Sequence, residues 1–182
     1  MITGSWGETY FDAIEWKKGR QWYPRRIRVG SKWIKSPYYE DNGVGTSTCR
    51  NVFIIPEKEA VIKFGVDPDY GTPQNEAEWE FYTNTLEEDH KGLFPKLLDF
   101  KEICRKSQEE YLEANYTVHQ YVNIDRNKDI LESQQEELED LIEYYKLEDV
   151  HPDERGESTT DTDANVGIDK EGRLWILDYG MT

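Results

Sequence analysis

The sequence predicts an α+β fold organised around antiparallel strands, and three features carry that prediction. Two strand-like runs, 46–55 and 60–64, flank Pro56-Glu57-Lys58-Glu59, a quartet that cannot continue a ladder and so marks a hairpin. Residues 129–150 hold the clearest helical period. Leu138, Leu141, Ile142 and Tyr145 fall at i, i+3, i+4 and i+7, while Glu136, Glu137, Glu139, Asp140 and Glu143 take other faces. The stretch 165–180, NVGIDKEGRLWILDYG, reads as two short strands around Lys170-Glu171-Gly172.

The remaining elements are placed by the same signals. Residues 6–39 interleave aromatic and basic side chains without a helical period, the pattern of short strands or an extended arm packing its rings on the main body. Residues 72–92 open on Thr-Pro and close on Gly92, with Ala77, Phe81 and Leu86 on one face, which predicts a helix. LFPKLLDFKEI and NYTVHQYV predict two further strands. The chain divides accordingly into an aromatic and basic extension (1–42), a central β-rich part (43–124) and a C-terminal part (125–182) holding the long helix and the last hairpin.

Composition bounds the function. Six Trp, twelve Tyr and six Phe supply core surface despite 33% charged residues. Cys49 and Cys104 form no C-x-x-C pair, no apolar leader opens the chain, and no window approaches the roughly 18 apolar residues of a membrane span, so a soluble, reduced, cytoplasmic protein is expected. Residues 1–50 carry nine Lys/Arg against five Asp/Glu (+4), and residues 51–182 carry thirteen against thirty-three (−20). An acidic body of this size repels nucleic-acid phosphates and suits a basic protein partner.

Two places carry chemistry. Asn165 enters the first strand of the last hairpin and Asp178 leaves the second, so an amide oxygen and a carboxylate meet at one end, hard ligands of the kind Mg²⁺ takes. Lys63, in AVIKF, lies on a strand behind a glycine-containing turn, where a lysine can meet nucleotide phosphates if a carboxylate from the next helix holds it. Glu78 or its neighbours Glu76 and Glu80 can supply that carboxylate. A calcium loop through Asp161, Asp163, Asn165 and Asp169 fails at Val166 and Gly172, where glycine and an acid are needed. His90, His119 and His151 are too scattered for a zinc site.

The order of parts resembles the protein-kinase-like superfamily, most closely its compact, divergent members from phages and bacteria: glycine turn, VIK strand, helix with an acid, two strands, an acidic loop leading to Asn, then Asp-Tyr-Gly. The resemblance covers about residues 43–180 and implies a two-lobed fold with an antiparallel N-lobe and a truncated C-lobe. It implies ATP and Mg²⁺, with Gly43 and Gly45 covering the phosphates, Lys63 contacting them, Glu78 holding Lys63, and Asn165 and Asp178 binding the metal. LEDVHP resembles the start of the family's catalytic loop and nominates Asp149 as the base, with Asp153, Asp161 and Asp163 as competitors. The implied activity is transfer of the γ-phosphoryl group to a hydroxyl, on a protein or another acceptor. The alternative is a catalytically dead, pseudokinase-like protein whose acidic surface blocks a basic site on a host protein.

Overall fold

The computed structural model describes residues 10–18, 22–36, 50–65, 71–106, 111–125, 127–147, 150 and 165–179. Three strands, β1 (Ala13–Lys18), β2 (Trp22–Val29) and β3 (Lys32–Lys35), come first. They are followed by β4 (Arg50–Ile55), β5 (Ala60–Gly65), helix α1 (Gly71–Glu80), β6 (Leu97–Lys106) and β7 (Tyr111–Gln120). Helix α2 (Glu132–Tyr145) and the hairpin β8 (Val166–Ile168) and β9 (Leu174–Ile176) complete the order. The fold is therefore α+β, with every sheet antiparallel. Among the described residues, no helix is long and apolar enough to cross a membrane.

Two compact units divide the chain, one comprising Met1–Trp79 and Leu97–Tyr121, the other Glu80–Lys96 and Val122–Thr182. In the first, β1-β2-β3 and β4-β5-β7-β6 form separate sheets. Period-two alternation decides what each face meets. Phe53 and Ile55 of β4, Ala60, Ile62 and Phe64 of β5, and Ala114, Tyr116 and Val118 of β7 all turn to one apolar core, which Phe11, Ile14 and Ile27 join from the N-terminal strands. The rings of Phe11, Phe53, Phe64 and Tyr116 meet there at centroid distances of 5.3 to 5.7 Å, mostly tilted or edge-on. The aromatic segment expected as an arm or as short strands thus builds a sheet and part of this core. On its other face, Glu15 accepts from both Nε and Nη2 of Arg26, whose guanidinium lies 4.8 Å from the Trp33 ring centre.

The quartet between β4 and β5 forms a single tight turn, Pro56–Lys58, closed by Glu59 in the left-handed region (φ 49°). Helix α1 ends earlier than its sequence period implies: the backbone widens at Phe81–Thr85, where the Leu86 amide reaches back five residues to the Phe81 carbonyl. Ala77, Phe81 and Leu86 are consequently not one helical face. Phe81 and Leu86 belong to the second unit's core, while the residues that α1 buries completely are polar, Asn75 and Glu78.

The second unit packs Leu138, Leu141 and Tyr145 of α2 with Phe81, Phe94, Ile168, Leu174, Ile176 and Tyr179. Ile142, the fourth member of the expected stripe, is half-buried at its margin. The start of α2 is fixed by Gln134, whose Oε1 accepts the Leu131 amide, and its end by Lys146 in the left-handed region (φ 55°). The β8–β9 turn is organised by Asp169, only 3% exposed. Its carboxylate accepts from the Glu171 and Arg173 amides, Arg173 Nε and Trp175 Nε1. Burial pushes that carboxyl up, but the bonds from Trp175 and Arg173 outweigh it and hold it at about 2.

Gly167 sits where β8 passes Ile124. A Cβ there would lie 2.6 Å from Ile124 Cγ2 and 3.1 Å from Cγ1, atoms too near the backbone to swing away. Gly167→Ala is therefore expected to destabilise the protein by about 1–3 kcal/mol through overpacking, and a denaturant melt reads the loss.

Candidate functional site

A polar cluster occupies the face of the β4-β5-β7-β6 sheet opposite its apolar core. The register pairs Val52 with Lys63, Lys63 with Thr117, Val61 with His119 and Gly65 with both Arg50 and Asn115, so all of these share that face. Helix α1 adds Asn75 and Glu78. Arg50, Lys63, Asn75, Glu78, Asn115, Thr117 and His119 are each 5% exposed or less. Such a group persists in a protein interior only if its members satisfy one another.

Glu78 is the hub. Its Oε1 lies 2.7 Å from Arg50 Nη1 and 3.2 Å from Lys63 Nζ. Its Oε2 has His119 Nε2 at 3.3 Å, but that ring nitrogen is better directed at Thr117 Oγ1, 3.0 Å away, and no donor among the described residues is well aligned on Oε2. Asn75 fastens the helix to the sheet: its Oδ1 accepts from Arg50 Nη1 at 3.2 Å, and its Nδ2 donates to the Lys63 carbonyl at 3.1 Å and to Asn115 Oδ1 at 2.8 Å. Three strands and one helix are thereby tied through two side chains.

Burial by itself would raise the Glu78 carboxyl, yet Arg50, Lys63 and His119 outweigh it and hold it well below the usual carboxylate range. Glu78 is ionised at any ordinary pH. His119 goes the other way from a base's usual gain: burial, then the neighbouring Lys63 charge, lower its pKa, and Glu78 offsets only part of this. Its imidazole is therefore neutral at neutral pH, and a hydrogen on Nε2 suits both nearby acceptors.

Of the residues read from the sequence, Lys63 and Glu78 come together. Glu76 and Glu80 point outwards, and Glu76 Oε1 instead accepts from Asn115 Nδ2 at 3.4 Å. Arg50, Asn75, Asn115 and Thr117 join Lys63 and Glu78 with no motif in the sequence to mark them, and His119, set aside as a zinc ligand, joins them as well. The one signal in the sequence is the alternation of Asn115, Thr117 and His119 with Ala114, Tyr116 and Val118, which ordinarily means a solvent-facing side. Gly43, Gly45, Asp149, Asp153, Asp161 and Asp163 lie outside the described residues.

The second unit holds the last hairpin. Asn165 and Asp178 are both half-buried, and the Asn165 carbonyl accepts from the amides of Leu177 at 2.6 Å and Asp178 at 3.3 Å. Asn165 therefore faces Leu177, with Asp178 one residue further along, a diagonal rather than a side-by-side pair. Their amide oxygen and carboxylate remain a donor set of the hard type that suits Mg²⁺. Among the described residues, no three His, Cys, Asp or Glu side chains gather as a metal-binding group. Of the histidines, His90 Nδ1 sits 2.7 Å from Tyr145 Oη and His119 belongs to the Glu78 cluster.

No protein-family model matches the chain, and neither does any curated protein or solved structure.

Replacing the hub charge leaves Arg50 and Lys63 buried against a neutral amide. Glu78→Gln is expected to cost about 3–5 kcal/mol, measured as the change in unfolding free energy in urea. A second expectation concerns acid. Below the ordinary imidazole value of 6.5 the unfolded chain binds a proton at position 119 that the folded chain excludes. Stability falls as pH decreases, by up to about 1.4 kcal/mol per unit. Melts at pH 7.5 and 5.5 should show a smaller difference in His119→Gln than in the wild type.

Proposed function

We propose that this chain is an ATP- and Mg²⁺-dependent phosphotransferase of the protein-kinase-like type. The observation that carries the reading is the buried ion pair between Lys63, on the middle of a strand, and Glu78, on the helix that follows it. In protein kinases a strand lysine that pairs nucleotide phosphates is held by a glutamate of the next helix. Here the same two residue types sit on consecutive elements in the same order, followed by two strands of which β7 pairs with the lysine strand and β6 with β7. A lysine buried for structural purposes alone is rare, because its ammonium gives up hydration that an aliphatic side chain would not.

The surroundings support a nucleotide. Val52 and Val61 are half-buried on the same sheet face as Lys63 and offer apolar surface to a purine. Lys63 would pair phosphate oxygens. In the second unit, Asn165 and Asp178 would supply hard oxygen ligands to Mg²⁺, which supplies charge neutralisation when bound. In the proposed reaction the bond from the β–γ bridging oxygen to the γ-phosphorus breaks and one from the acceptor hydroxyl forms, with ADP leaving and the hydroxyl proton passing to Asp149.

A second reading draws on α2, whose exposed face carries Glu132, Glu136, Glu137, Glu139, Asp140 and Glu143, with no basic residue anywhere in the helix. Such a surface suits a basic protein partner, and binding of that kind weakens steeply with salt and ignores Lys63 and Asp178.

A thermal-shift titration with ATP, with and without Mg²⁺, separates the two. A hundredfold excess over the dissociation constant stabilises the folded state by about 2.7 kcal/mol, so the wild type should melt at a higher temperature in Mg²⁺-ATP, and Asp178→Ala should lose the Mg²⁺-dependent part. A wild type whose melting temperature ignores Mg²⁺-ATP overturns the nucleotide reading and leaves the acidic-surface reading.

A further inference from the structure

Two cations share one oxygen of Glu78, and they are not equivalent. Arg50 Nη1 is nearer, 2.7 Å against 3.2 Å for Lys63 Nζ, and it is fixed from a second side by Asn75 Oδ1. Asn75 is itself anchored to the β5 backbone and to Asn115, so the arginine's seat does not depend on Lys63. The chemistry of the two side chains sharpens the difference. A guanidinium is permanently charged and rigid in its fork, whereas an ammonium on a four-carbon stem moves readily between acceptors.

A lysine that both holds a glutamate and binds phosphate faces a conflict. When it turns to the ligand, a carboxylate with no exposed surface loses cationic compensation in a medium where that is costly. A second cation already in place removes the conflict. We propose that Arg50 is the permanent counter-ion of Glu78 and a positioning residue of the nucleotide site, leaving Lys63 as the exchangeable cation that shifts to a nucleotide phosphate. This rests on the nucleotide reading above. It assigns the ligand's recognition to its polyphosphate, a polyanion able to draw an ammonium away from a carboxylate, and assigns to Arg50 no contact with the ligand.

The consequence is phosphate-specific. Without Arg50, Lys63 becomes the principal cation on Glu78 and is retained there, so binding weakens for ligands that need the ammonium and stays the same for those that do not. Calorimetric titrations with Mg²⁺-ATP and with adenosine distinguish these. In Arg50→Gln the dissociation constant for Mg²⁺-ATP should rise about tenfold or more, the worth of one charge-assisted hydrogen bond, while that for adenosine stays at its wild-type value. Arg50→Lys should restore part of the loss.

General damage to the unit would weaken both ligands together, and that result overturns the inference, as does an unchanged affinity for Mg²⁺-ATP. Should Arg50→Gln fail to fold, nitrogen-15 spectra of the wild type give the same answer. The Lys63 Nζ resonance should move with Mg²⁺-ATP saturation and the Arg50 Nε resonance should hold its position; movement of Arg50 with a static Lys63 overturns the assignment. A wild type that binds no Mg²⁺-ATP at all removes the nucleotide reading and the inference together, a result distinct from normal wild-type binding with an unaffected Arg50→Gln.

Discussion

A fully buried glutamate, Glu78, held between Arg50 and Lys63, is the constraint around which the first unit is organised. An ionised carboxylate in an interior survives only with cations and donors in place. Each donor must in turn be held by its own element: Arg50 by the start of β4, Lys63 by β5, and the helix itself by Asn75. That requirement explains why α1 turns two polar residues, Asn75 and Glu78, inwards. It also explains why positions 115, 117 and 119 of β7 are Asn, Thr and His rather than a second apolar row. The apolar core is confined to the other face of the sheet, where Phe53, Phe64 and Tyr116 interlock.

This division of labour has an energetic logic. Apolar burial on one face is non-directional and secures the sheet, while the opposite face satisfies hydrogen bonds whose geometry tolerates little displacement. A cluster of this kind is a weak contributor to net stability compared with well-packed aliphatic side chains. In the proposed nucleotide site, the two cations around one carboxylate would let an ammonium be presented to an anion while Glu78 keeps a counter-ion.

The second unit uses the same device on a smaller scale. Asp169 gathers two backbone amides, a guanidinium and an indole N–H, so a three-residue hairpin strand pair too short to be stable alone is pinned at its turn. The hairpin's open end is set by the Asn165 carbonyl receiving both Leu177 and Asp178. The rigidity is in the turn and the candidate metal ligands are at the other end, joined by strands whose Ile168, Leu174 and Ile176 are packed against α2's Leu138 and Leu141.

Local pattern was enough to place several elements, though not the end of α1 or the sheet formed by β1, β2 and β3. The Pro56 quartet, the Leu138–Tyr145 period, the Lys170-Glu171-Gly172 turn and the Lys63 strand follow from period, turn chemistry and capping, which depend on neighbours in the chain. The choice of Glu78 from among three acids in one turn of helix was open in the sequence, because helix rotation is set by what the helix packs against. Only the tertiary structure decided it, turning Glu78 inwards and leaving Glu76 and Glu80 outside. The roles of Asn115, Thr117 and His119 were invisible for a related reason: an alternating polar row reads identically whether water or a helix covers it. The cover comes from a segment far along the chain, and no periodicity in the strand itself records it.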